Sequence, residues 1–118
     1  MAAPMNLTNV QAVIGAGQSL SAEVDLGPGT LVGIVIPSGW SSASLTFQAT
    51  ADGVSWSELV NSAGAALSMG VFSGGQYAAI DPTLWRGITA IKLRSGTQAS
   101  PVVQASQQTL TLVTKVLS

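Results

Sequence analysis

Glu23 and Asp25 stand two residues apart, and on an extended chain that spacing puts both carboxylates on one face, where they could converge on a Ca²⁺ ion. Two side-chain ligands are too few without help from loop carbonyls, so like-charged neighbours on a solvated strand face are the favoured account. The other three carboxylates are Asp52, Glu58 and Asp81. A glycosidase needs two of them to face each other across a cleft. Asp52 belongs to an Asp-Gly turn, Asp81 precedes Pro82 as a cap, and Glu58 stands alone. The chain has no Cys and no His, which removes thiolate and imidazole metal ligands, the Cys nucleophile and the usual general base. The expectation is a protein without catalytic residues, metal or cofactor.

The three tryptophans are the remaining residues with recognition chemistry. Trp40 (Ser38-Gly39-Trp40-Ser41-Ser42) and Trp85 (Leu84-Trp85-Arg86-Gly87) sit among breakers and polar residues. With Arg86 they are candidate protein-interface anchors, because aromatic and Arg side chains dominate such contacts. A Trp closing one end of a core is the competing account for each. Trp56 follows Asp52-Gly53 by three residues and reads as a packing residue of a hairpin.

These residues must be positioned by strands. Leu20, Ala22, Val24 and Leu26 alternate with Ser21, Glu23 and Asp25, and Leu45, Phe47 and Ala49 alternate with Ser44, Thr46, Gln48 and Thr50, the period of half-buried strands. Leu31 to Ile36 is a largely β-branched run between Gly29 and Pro37 and reads as a central strand covered on both faces. Val10–Ile14, Ser55–Val60, Leu67–Val71, Gln76–Ile80, Ile88–Arg94 and Thr109–Leu117 are further strands, separated by Gly, Pro, Ser or Asn at about the 8–12-residue spacing of a sandwich or barrel. Asp52-Gly53 predicts a tight hairpin turn with positive φ at both central residues. Asp81-Pro82 predicts one helical turn, and Ala63 to Leu67 at most another. Met1 to Thr8 reads as an extended arm, and Gly96 to Gln107 as an irregular polar loop of the kind that serves binding or assembly. The prediction is an all-β single domain over residues 1–118, an antiparallel β-sandwich of about eight strands, jelly-roll or galactose-binding-like.

The chain's composition then says what kind of surface these elements carry. Of 118 residues, four are Lys or Arg and five Asp or Glu. A monomer of this size exposes on the order of 6,000 Å², roughly one charge per 650 Å², against roughly one per 200 Å² for an ordinary domain. Ser, Thr and Gln supply the polarity instead. The four cations, Arg86, Lys92, Arg94 and Lys115, do not cluster enough to track a phosphate backbone, which excludes nucleic acid as a partner. No apolar run is long enough to span a bilayer, and the first residues lack the charged start of a secretory signal. Removing charge lowers the desolvation cost of protein contact, so the expected partners are other polypeptides and further copies of the chain.

Thr50, Asp52, Gly53 and Trp56 resemble the Ser/Thr-x-Asp-Gly-x-x-Trp hairpin of discoidin-like and galactose-binding-like sandwiches, and Ile91-Lys92-Leu93-Arg94 resembles their basic alternating strand. In those families the hairpin is scaffold. Taken whole, the chain resembles the small all-β accessory proteins of tailed-phage virions: decoration, head-fibre or head-spike base proteins. The Ala/Ser/Thr-rich strands, the run Leu31-Val32-Gly33-Ile34-Val35-Ile36-Pro37 leading to Trp40, the Asp-Gly-x-x-Trp hairpin and the closing Thr109-Leu110-Thr111-Leu112-Val113 carry it. The resemblance implies a virion location after assembly in the host cytoplasm, capsid or fibre/spike subunits as partners, and a homotrimer. A carbohydrate- or host-receptor-binding sandwich is the alternative, with a glycan as ligand.

Overall fold

Period-two alternation gives each strand one face that must be buried, and a sheet with one apolar face is stable only against another such sheet. The computed structural model, which describes residues 7–116, shows that solution. Nine strands form two packed antiparallel sheets. They are β1 (Leu7–Ile14), β2 (Val24–Asp25), β3 (Thr30–Val35), β4 (Ala43–Thr50), β5 (Trp56–Glu58), β6 (Met69–Phe72), β7 (Tyr77–Ala79), β8 (Ala90–Ser95) and β9 (Gln108–Lys115). One sheet has the order β1-β9-β3-β7, the other β2-β8-β4-β5, with β6 also on β4. Strands β1 to β4 and β7 to β9 pass alternately between the sheets. First and last strands are neighbours, which is the connectivity of a jelly roll built from two Greek keys.

The core lies between the sheets. Ala12, Ile14, Leu31, Ile34, Leu110 and Leu112 fill it from one side, and Leu45, Phe47, Ile91 and Leu93 from the other. The alternation read for Leu45, Phe47 and Ala49 holds, with these three facing inward and Ser44, Gln48 and Thr50 outward, but Thr46 is buried, its hydroxyl donating to the Gly96 carbonyl and accepting from Arg94. β3 is interior to its sheet, between β9 and β7, as its apolar run predicts, but it is fully covered on one face only: Leu31 and Ile34 are buried, while Val32 and Val35 are half-exposed. Asp81 caps a 3-10 turn (Pro82–Leu84), its carboxylate accepting from the Thr83 backbone N–H.

Other readings are corrected. Leu20 to Leu26 is not one half-buried strand: Ser21 is buried, Ala22 is exposed, and pairing with β8 is split between an isolated bridge at Leu20 and the short ladder of Val24–Asp25. The Ser21 hydroxyl accepts from the Leu93 N–H, a place a carbonyl would take in a regular ladder, so the strand breaks there. The Asp-Gly turn is a longer loop, since Thr50 pairs with Trp56 and five residues intervene. Gly53 takes φ +80°, while the Asp52 carboxylate accepts from the Val54 and Ser55 N–H groups and the Thr50 hydroxyl accepts from Gly53. Residues 96–107 are irregular, as expected, yet anchored. Gln104, fully buried, exchanges hydrogen bonds with the Ser41 backbone and donates to the Ser95 hydroxyl, pinning the segment across the sandwich end. Of the expected arm, Leu7 and Thr8 open β1, and Met1 to Asn6 lie outside the described residues.

Candidate protein-interaction surface

Two of the three anchors expected from sequence are core residues. Trp40 is 6% and Trp85 2% exposed, and Trp85 meets Phe47 edge-on with ring centroids 4.8 Å apart. The breakers around them end elements; they do not expose the ring between them. Arg86 lies at the surface beside buried Trp85. Trp56, read as packing, sits half-buried on the outer face of its sheet with the Lys92 ammonium 4.7 Å from its ring centroid, a cation–π contact.

The charges divide unequally between the sheets. β2, β5 and β8 carry Asp25, Glu58, Lys92 and Arg94. Arg94 grips Glu58 bidentately, Nη1 to Oε1 at 2.6 Å and Nη2 to Oε2 at 2.7 Å, and Gln48 donates to the same carboxylate at 2.8 Å. The Arg94 hydrogen bonds hold the Glu58 carboxyl below the ordinary carboxylate range and, reciprocally, raise Arg94. Asp52 is lowered by the N–H groups of its own loop, and Asp81 by Thr83. A general acid would need the opposite shift. Asp25 accepts from the Gly27 N–H at 2.7 Å, and among the described residues no three His, Cys, Asp or Glu side chains gather as a metal site.

β1, β9, β3 and β7 carry a single charge, Lys115, at one end. Register places the outward residues in rows across this neutral sheet: Gln11, Thr111, Val35 and Tyr77 in one, Asn9, Val113, Gly33 and Ala79 in the next, with Val13 beside Thr109 and Leu7 beside Lys115 and Thr30 at the two ends. Tyr77 is 60% exposed. A Cβ on Gly33 would lie 2.5–2.7 Å from its ring and hydroxyl, so the ring rests on the bare backbone of Gly33. This is a held aromatic on a flat surface of Thr, Val and amide side chains. Sequence reasoning left Tyr77 unremarked; the available signal was a glycine inside an otherwise β-branched strand, which marks a close approach. Gly33→Ala should turn the ring off its seat while leaving stability within about 0.5 kcal/mol, because the displaced atoms are the far end of an exposed side chain. The altered ring environment is read by tyrosine fluorescence or reactivity, and Gly70→Ala, with open space around its Cβ position, supplies the control.

A shallow hollow of about 460 Å³ lies between the β4–β5 loop and Gly87-Ile88, rimmed by Thr50, Asp52, Ser55, Ser57 and Glu58.

No protein-family model matches the chain, and no curated protein matches it. Among solved structures, a similar one is the crystal structure of a Yersinia pseudotuberculosis-derived mitogen, 12% identical, aligned over 98% of this chain and 89% of that one with a TM-score of 0.43. A likeness this distant bears on neither partner nor activity.

Proposed function

We propose that the protein is a non-enzymatic structural protein of a tailed-bacteriophage virion, assembled in the host cytoplasm, that binds capsid or fibre/spike subunits through the outer face of the β1-β9-β3-β7 sheet. The observation that carries this reading is the contrast between the sheets: four strands with one charge at the margin and, on edge strand β7, an exposed tyrosine seated on Gly33 of the neighbouring strand. Such a face can be covered without stripping water from ions, and its Thr and Gln side chains can pair across an interface. Jelly rolls serve in capsids and in lectins alike, so the fold agrees with the reading without deciding it.

Thr111→Lys places an ammonium at the centre of the face. From this half-buried position the long side chain can reach water in the free protein, so it should leave folding nearly unchanged, yet weaken co-sedimentation with virions of the encoding phage by at least about tenfold, because the charge would be buried unpaired. Val54→Lys, on the 80% exposed loop of the other sheet, should bind as wild type. Equal binding by both variants would overturn the proposal.

The hollow favours one second reading. Hydroxyl-bearing residues with Asp52 and Glu58, beside apolar Ala49, Leu59, Val60 and Ile88, line a concavity that suits a glycan. Calorimetric titration with host-surface oligosaccharides should give heat that Ser57→Trp abolishes; a flat titration across the panel removes this reading.

A further inference from the structure

Sheet edges expose a row of unpaired backbone groups, and proteins that do not use them keep them short or charged. Here β2, β5, β6 and β7 are edge strands of two to four residues. Asp25 lies in one of them and Glu58 in another. The remaining edge is different. β1 runs for eight residues, Leu7–Ile14, with no charge, no Pro and no Gly, and pairs with β9 on one side only. Among the described residues, none of the backbone hydrogen bonds made outside the sheet ladders reaches residues 7–14. Leu7, Thr8, Asn9, Gln11 and Val13 are all exposed along it.

We infer that the occupant of this edge is β1 of a second copy of the chain, added antiparallel about a two-fold axis. A two-fold contact brings a surface against itself, so any charge on the strand would meet a like charge near the axis; β1 has none to meet. Same-face pairing requires odd positions to oppose odd positions. With Val10 on the axis, Asn9 opposes Gln11 of the second copy and Leu7 opposes Val13, amide against amide and aliphatic against aliphatic. Centring on Gln11 would instead set Asn9 against Val13. The pair makes one eight-stranded sheet, four strands from each copy, and joins two neutral faces into one. Antiparallel pairing of identical strands generates two-fold symmetry, so the dimer replaces the trimer implied by the virion-protein resemblance. This goes beyond the proposed function, because it follows from the edge alone and holds whatever the assembled protein binds.

Sedimentation equilibrium on the full chain tests it. Wild type should be a concentration-dependent dimer. Asn9→Lys/Gln11→Lys, which sets ammonium against ammonium, should be monomeric with an unchanged far-ultraviolet spectrum, as should Asn9→Glu/Gln11→Glu; an equimolar mixture of the two should dimerise again. In a chain with no cysteine of its own, Asn9→Cys/Gln11→Cys should oxidise to a covalent dimer whose peptides link position 9 of one copy to position 11 of the other, a readout that survives if the charged variants fold poorly. A monomeric wild type, an oligomer indifferent to the lysine pair, or crosslinks in another register would overturn the inference. A monomeric wild type that still binds virions would sink this inference and spare the proposed function.

Discussion

Trp85→Ala should cost the fold about 3–5 kcal/mol, the range for emptying an aromatic site in a packed core. Trp85 is 2% exposed and its ring meets Phe47 at 86° with centroids 4.8 Å apart, so truncation leaves a cavity and removes an edge-to-face contact. Set against the roughly 5–15 kcal/mol that holds a domain of this kind together, the loss is a large fraction and should appear as a much lower urea midpoint. The adjacent Arg86→Ala, at an exposed position, should stay within about 0.5 kcal/mol of wild type. A Trp85 variant that keeps wild-type stability would restore the ring to the role of surface anchor.

Glu58→Ala should be the costliest removal of a charge on the charged sheet. Arg94 is 7% exposed, and besides Glu58 its guanidinium has one other side-chain partner, the Thr46 hydroxyl at 3.3 Å. Removing the carboxylate leaves a nearly buried cation with most of its donors unmatched, a loss of about 2–4 kcal/mol. It also unties β5 from β8, since Glu58 takes hydrogen bonds from Arg94 on β8 and Gln48 on β4. The pH dependence has a definite sign. The folded Glu58 carboxyl titrates below its ordinary value, chiefly because Arg94 donates to it; its stabilisation is therefore complete above the unfolded value of about 4.3 and is lost as pH falls through the folded value. Asp52 and Asp81 are lowered as well and contribute to the same acid limb. Glu58→Gln, which cannot ionise, isolates the pair: it should be less stable than wild type at neutral pH, with the gap closing as the solution is acidified below about pH 4. A gap that is constant across that window would mean that Glu58 and Arg94 do not act as an ion pair.

Much of the architecture is legible in the alternation of apolar and polar residues. Leu45, Phe47 and Ala49, then Leu31, Ile34 and Ile36 of the central run, and Leu110 and Leu112 all face inward, and two sheets follow from having several such strands and no helix of length. Alternation misleads at Leu20 to Leu26 because Ser21 satisfies a ladder position with its hydroxyl, a substitution of side chain for backbone that no periodicity reveals. Gln104 hides in the same way: within a polar run it looks solvated, yet long-range partners at Ser41 and Ser95 bury it completely. Trp40 and Trp85 were misjudged from their flanks, since breakers beside a ring report where an element ends and say nothing of which way the ring turns. The uncharged coat was visible in composition alone. Its concentration on one sheet was not, because that depends on which strands become neighbours, a matter of long-range pairing between β1, β9, β3 and β7.

Tyr77, the one tyrosine of the chain, lies on the β7 side of that sheet with its ring over β3 and makes the central claim directly measurable. Hydroxyl-radical footprinting, read by mass spectrometry, should oxidise Tyr77 readily in the free protein, where its ring is 60% exposed, and only slowly once the protein is assembled in the virion, while exposed Val54 on the far loop reacts alike in both states. Oxidation of Tyr77 at the same rate in the free and assembled states would show that the neutral face stays wet in the working particle, and would contradict the account.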